Sequence, residues 1–313
     1  MLTNITPKKH FSKIGRNYLI LGISTLIFQI ILVNIITLIL PGIIRDMNML
    51  LIISSLCNYI LPFPIFYYLM KKLDSGHMEK TDLSIRKFLV YTCITIMLIS
   101  IGNLVGLGIT GLIGGITQTD ITNPVEVTIN NGSIWSNLII ISIISPIFEE
   151  IFFRKILVDR VIQFGVKPAI LVSGVLFALF HGNLNQFVYT FLVGSFFAYV
   201  YVKTGKIIYP ILLHIIINIF GSVFSMIVSQ SAAHLSSGAN IGDVLIILIY
   251  FLILASSFIV GMIAILNHKK EDINNPPAEV ELENPLKTIF INGGMISFVV
   301  FYLIIIILQL GII

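Results

Sequence analysis

Long apolar runs that lack a charged face recur along this chain, and they constrain its fold more than any other feature. Ile207 to Val228 is uniformly apolar apart from His214, Asn218 and small or hydroxyl residues. Crossing about 30 Å of hydrocarbon takes roughly 20 helical residues. On that measure the chain divides into about nine segments, near 18–40, 49–70, 88–114, 134–153, 168–182, 187–202, 207–229, 241–266 and 288–313. Only 11% of its 313 residues are Asp, Glu, Lys or Arg, against 57% hydrophobic residues and a mean hydropathy of +1.00. Soluble domains carry about 25% charged residues, so lipid must solvate much of the exterior. β-barrel strands would alternate in short stretches; these runs do not. The expectation is an all-α, polytopic transmembrane bundle.

The basic residues test this partition independently. Eighteen of the nineteen Lys and Arg fall in the N-terminal tail and in alternate loops, leaving Arg45 alone on the other side. By the positive-inside rule the N-terminus is cytoplasmic and, after nine crossings, the C-terminus lies outside a cell membrane. Residues 1–17 read as a basic tail, 18–266 as the main bundle, 267–287 as a polar linker and 288–313 as a last span. The run from Tyr18 to Leu40 exceeds a signal-peptide core and reads as a retained helix. Lys8, Lys9, His10 and Lys13 fit a positive-inside anchor at the lipid surface. Cys57 and Cys93 sit inside apolar stretches, which excludes a disulfide framework or zinc ribbon. No P-loop or dinucleotide fingerprint occurs, and the bases form no nucleic-acid platform.

Three polar clusters stand out against the apolar background. In Pro146-Ile147-Phe148-Glu149-Glu150-Ile151-Phe152-Phe153-Arg154-Lys155, two carboxylates sit among apolar side chains, where charge is costly unless it faces protein or water. Adjacent helix positions differ by about 100°, so the two glutamates are expected to serve different faces. Glu150 and Arg154 have the i, i+4 order that favours an ion pair, which leaves Glu149 for another role. Phe177 to His181 reads FALFH, and His214 to Asn218 reads HIIIN, with His214 and Asn218 one turn apart. A plainer reading makes the glutamates interfacial ion-pair partners and His181, His214 and Asn218 helix-packing contacts. Three such clusters on neighbouring spans also suit a polar site. Pro62, Pro64, Pro146 and Pro210 mark positions where helices bend, and the short fifth and sixth segments mark a place for a cavity.

These motifs resemble those of the CPBP family, the CAAX protease and bacteriocin-processing proteins, whose enzyme branch is Rce1-like. The paired-glutamate arginine motif is Glu149-Glu150-Ile151-Phe152-Phe153-Arg154, the phenylalanine-to-histidine motif is Phe177 to His181, and the last is His214 to Asn218. The resemblance covers residues 134–229. It implies an α-helical bundle with a cytoplasm-facing polar cavity, active residues at Glu149, His181, His214 and Asn218, and structural support from Glu150 and Arg154. The expected activity is peptide-bond hydrolysis in a membrane-associated peptide or protein by a glutamate-activated water, with no cofactor. Zinc is a secondary expectation: Glu149, His181 and His214 can ligate it, although an HExxH helix is absent. A bacteriocin-immunity or peptide-binding protein using the same polar network is the non-enzymatic alternative, and a transporter a weaker one for want of an internal repeat.

Overall fold

In the computed structural model, residues 6–119, 121–238, 240–267 and 278–311 are described. The outer parts of the predicted linker and tail, residues 268–277 and 1–5, lie outside them. Eleven helices follow in order: α1 Pro7–Ile39, α2 Met47–Met70, α3 Ile85–Thr117, α4 Pro124–Asn131, α5 Ile134–Phe164, α6 Val166–Phe180, α7 Leu184–Thr204, α8 Ile208–Leu235, α9 Ile241–Leu266, α10 Pro285–Phe290 and α11 Gly293–Gln309. Seven are long and apolar enough to cross a bilayer, and α6 and α11 are shorter apolar helices. The chain is therefore a multi-pass helical membrane protein. Its nine apolar segments match the expected ones in order, and their ends differ.

The differences follow from local signals that hydropathy misses. Pro7 at the first helical position starts α1 well before the apolar run, because its fixed φ and missing N–H suit that place. Segment four was expected to stop at residue 153, yet α5 runs on to Phe164. Arg154 and Arg160 do not end it, because both are buried in protein contacts rather than placed at a water interface. Asx and serine caps set several other starts: Ser84 accepts from Lys87 N at α3, Asn183 from Asn185 N at α7, and Asn292 from Met295 N at α11. Each satisfies a backbone donor of a first turn, which has no intrahelical acceptor.

One turn controls the height of the central helices. Gly165, at φ +106°, breaks α5 from α6 and folds them into a hairpin. Glu149 lies sixteen residues before Gly165 and His181 sixteen residues after it. Equal arms of an antiparallel hairpin bring the two residues to one level. With α5 ended near residue 153, His181 would instead lie nearer the outer side.

The helices pack around two hydrophobic cores. The larger gathers Phe11, Tyr18, Phe66, Phe152, Phe153, Phe177, Phe298 and their neighbours from α1, α2, α5, α6 and α11. The smaller joins α3, α7 and α8 through Tyr91, Val193, Phe197 and Leu213. Glycines set the closest approaches. A Cβ on Gly15 or Gly22 of α1 would collide with the Gly294–Met295 backbone or the Tyr302 ring of α11, and one on Gly102 of α3 with Tyr189 of α7. Small residues permit such backbone contact between membrane helices. On the outside, side chains such as Leu38 (86% exposed), Ile116 (83%) and Leu266 (75%) form apolar surfaces far beyond what a soluble monomer shows.

Candidate active site

The sequence motifs converge inside the bundle. Glu149 is at the midpoint of α5, fifteen residues from either end, or about 22 Å at 1.5 Å per residue. Glu150 follows it with a fully buried side chain, and His214 comes in from α8. The His214 Nδ1 lies 2.8 Å from Glu150 Oε1, and its Nε2 lies 3.7 Å from Glu149 Oε2. The two carboxylates thus flank one imidazole, one at each nitrogen. Their helix directions differ as expected, but a glutamate side chain is long enough to reach back toward a ring set between them. The two glutamates thus stand on opposite sides of the ring, and Glu150 alone also meets Arg154.

Arg154 completes the buried group. Its Nε is 3.0 Å from Glu150 Oε2 without hydrogen-bond alignment, so the attraction is that of an ion pair. Its Nη2 donates to Gly194 O at 3.1 Å, while its Nη1 has no hydrogen-bond partner. The guanidinium carbon stands 4.5 Å from the centre of the Phe177 ring and 5.6 Å from that of Phe197. Ring faces attract a desolvated cation and take the place that a further acceptor would fill. The same two rings contact His214, with centroids 5.9 and 5.3 Å away. Phe177 and Phe197 therefore act as an aromatic clamp over both Arg154 and His214.

His181 caps the end of α6, with Nδ1 2.8 Å from Phe177 O and its ring 4.6 Å from the Phe177 ring. The backbone contact fixes the ring's orientation and leaves Nε2 for another partner. The Phe177 ring that His181 packs against also contacts His214, 5.9 Å between centroids. Asn218, one turn after His214, donates from Nδ2 to Ile141 O at 2.9 Å. The reason lies in the backbone of α5. Its Asn137–Ile144 stretch is π-helical, with Ser145 N bonded to Ile140 O; in that pattern the next donor, for Ile141 O, would come from Pro146, which has no N–H. Asn218 fills the gap with one of its two amide hydrogens.

Sequence reasoning missed Tyr59. Its hydroxyl donates to Glu149 Oε1 at 2.5 Å, and its ring stacks on Phe148 at 5.6 Å. No motif pointed to it, because it comes from α2, ninety residues away. In the structure Tyr59 belongs to a π-helical turn, Leu56–Ile60, just before Pro62. Similar turns occupy Ile151–Ile156 after the glutamates and Ile219–Phe224 after Asn218. π turns often mark functional sites because they rotate side chains out of α register.

The arrangement gives Glu149 a neutral donor on one oxygen and an imidazole near the other, while the permanent cation is matched to Glu150. Among the described residues, no three His, Cys, Asp or Glu side chains are grouped as a metal site.

Comparison with known proteins finds similarity over the stretch that carries these residues. A family model described as type II CAAX prenyl endopeptidase Rce1-like matches residues 131–220. YdiL of Bacillus subtilis, described as a candidate membrane peptidase, is 36% identical over 84 residues, covering 26% of this chain and 34% of that protein. The membrane-embedded CAAX protease MroQ of Staphylococcus aureus is 28% identical over 109 residues, 32% of this chain and 43% of MroQ. YxdF of Lactococcus lactis is 35% identical over 83 residues, 26% and 46% of the two chains. The chain thus spans between a third and a half of the length of these curated relatives. No solved structure gives a significant match. The stretch similar to the Rce1-like family, residues 131–220, holds Glu149, Glu150, Arg154, His181, His214 and Asn218.

Proposed function

We propose that the protein is an intramembrane endopeptidase that hydrolyses a peptide bond with a water activated by Glu149. One observation carries the reading: a carboxylate at the centre of a membrane-length helix is held by Tyr59 and faced by His214, while the neighbouring arginine is matched to the other glutamate. A charge at such depth is costly and is normally kept for function.

In the proposed reaction, Glu149 accepts a proton from water as its oxygen attacks the scissile carbonyl carbon. His181 orients that water through Nε2. The C–N bond then breaks, and the proton passes from Glu149 to the departing amine. The base must come within hydrogen-bond reach of the water, and oxyanion donors must aim at the tetrahedral oxygen. Two donors suit that position. One is the Asn218 amide hydrogen not used on Ile141. The other is His214 Nε2, which donates while Nδ1–H is held by Glu150 only when the ring carries both protons. Glu150 and Arg154 position that ring. The chemistry requires no metal. The basic loops and the N-terminus face the cytoplasm of a cell membrane, and the C-terminus lies outside, in keeping with the charge bias.

The deciding experiment compares wild type and Glu149→Gln in proteoliposomes against a diverse library of membrane peptides. Selective cleavage by wild type, lost in Glu149→Gln with the fold intact by circular dichroism, is the expected result. Equal cleavage by both proteins refutes the role of Glu149.

A further inference from the structure

A cavity of about 620 Å³ opens at the end of the bundle away from the basic loops, separate from the charged cluster. Its walls include Thr110 and Gly111 near the end of α3, Asn123, Glu126 and Asn130 at α4, and Asn185 in the first turn of α7. Among the described lining residues, Glu126 is the one charged group. Asn185 is buried; its Oδ1 accepts from Thr110 at 2.6 Å, whereas its Nδ2 has no hydrogen-bond partner. An amide donor buried without an acceptor is unfavourable, and a ligand that brings a carbonyl relieves it.

The chemistry of the walls selects the ligand class. Side-chain amides and hydroxyls offer donors and acceptors without net charge, which matches a polypeptide backbone with one N–H and one C=O per residue. An anion would meet a carboxylate and no described base. A lipid tail would have to cover polar groups. An intact transmembrane helix has its backbone bonded internally and offers those walls little. An unwound stretch of chain meets all three conditions.

The cavity is joined to the loop that carries His181. Asn183, two residues beyond His181, reaches Asn123 at 3.4 Å, and Gln186 donates to the Tyr189 hydroxyl at 2.6 Å. Asn185 at the start of α7 thus lines the cavity four residues after His181.

We infer that this cavity is a substrate subsite, which seats the unwound segment flanking the scissile bond on the side away from the basic loops. The inference rests on the endopeptidase reading and adds where the substrate is gripped. Two glycines make it testable in the full-length protein. A Cβ on Gly111 or on Gly108 would meet nothing within 4 Å, and Gly111 lines the cavity whereas Gly108 does not. In proteoliposomes, Gly111→Phe should lower kcat/KM at least tenfold, through KM, for peptides extending past the cleaved bond on that side. The same peptides cut short there should be cleaved at the wild-type rate, and Gly108→Phe should behave as wild type throughout. Unchanged kcat/KM for Gly111→Phe on the long peptides overturns the subsite while leaving the endopeptidase intact. If wild type cleaves no peptide, the proposed activity fails, and the cavity is judged by photocapture with p-benzoylphenylalanine in place of Asn130. Capture of the same peptides, abolished by Gly111→Phe, keeps it as a peptide site; absence of capture overturns it.

Discussion

His214 Nδ1 lies 2.8 Å from Glu150 Oε1, so the imidazole nearest the candidate base is oriented by the glutamate next to that base in sequence. Glu150 in turn faces Arg154, and both side chains are wholly buried. Three titratable groups are therefore interlocked, and removing one strands another.

Glu150→Gln or Arg154→Met alone should destabilise the protein by about 3–5 kcal/mol, the range for leaving one charge of a buried pair without its partner. The double variant should cost less than the sum of the two. Thermal unfolding of the four proteins in detergent measures the coupling, and additive costs would show that the pair is not a unit.

Tyr59→Phe keeps the ring stacked on Phe148 and removes the hydrogen bond to Glu149. A bond to a charged group is worth about 1.5–3 kcal/mol, so peptide cleavage should fall roughly 10- to 100-fold with circular dichroism unchanged. Full activity in Tyr59→Phe would make the contact incidental.

A side chain at Gly194 would enter the Phe177 ring, since a Cβ there comes within 2.7 Å of Phe177 Cδ1. Gly194→Val should therefore displace the clamp over Arg154 and His214 and lower stability by about 1–3 kcal/mol, the usual cost of overpacking. Restoring space with Gly194→Val plus Phe177→Leu should recover stability but not cleavage, because the ring face over the guanidinium is still missing.

Activity should survive exhaustive treatment with EDTA and 1,10-phenanthroline, as expected when a side-chain carboxylate activates the water. Loss on metal removal, with stoichiometric recovery on adding zinc, would replace this mechanism with a metal-assisted one.

Much of this architecture was legible because a bilayer leaves few options for an apolar segment. The nine apolar stretches appear in order, and the i, i+4 spacing of Glu150 and Arg154 translates into contact. Helix ends were less legible. Hydropathy cannot see that Arg160 is enclosed, with Nε on Met70 O at 2.6 Å and Nη1 on Ile156 O at 2.8 Å, so α5 looked shorter than it is. The height of His181 was lost with it and depends on Gly165. Tyr59 was illegible for another reason: a tyrosine in an apolar span resembles any packing aromatic, and only the tertiary fold shows that its hydroxyl ends on a carboxylate. The charged clusters revealed themselves because membranes penalise them, whereas a neutral phenol attracts no such notice.

The tight seam between α1 and α11 has a consequence for biosynthesis. Gly294 N donates to Ser12 Oγ across 282 positions of sequence, and α11 also supports the turn after α6, where a Cβ on Gly182 would strike Ile305. Helix α1 therefore waits for α11, made about 250 residues later, and the loop bearing His181 gains this brace only then. A nascent chain halted before α11 would hold its reactive groups on an unfinished scaffold, so competence arrives late, with the closing of the bundle.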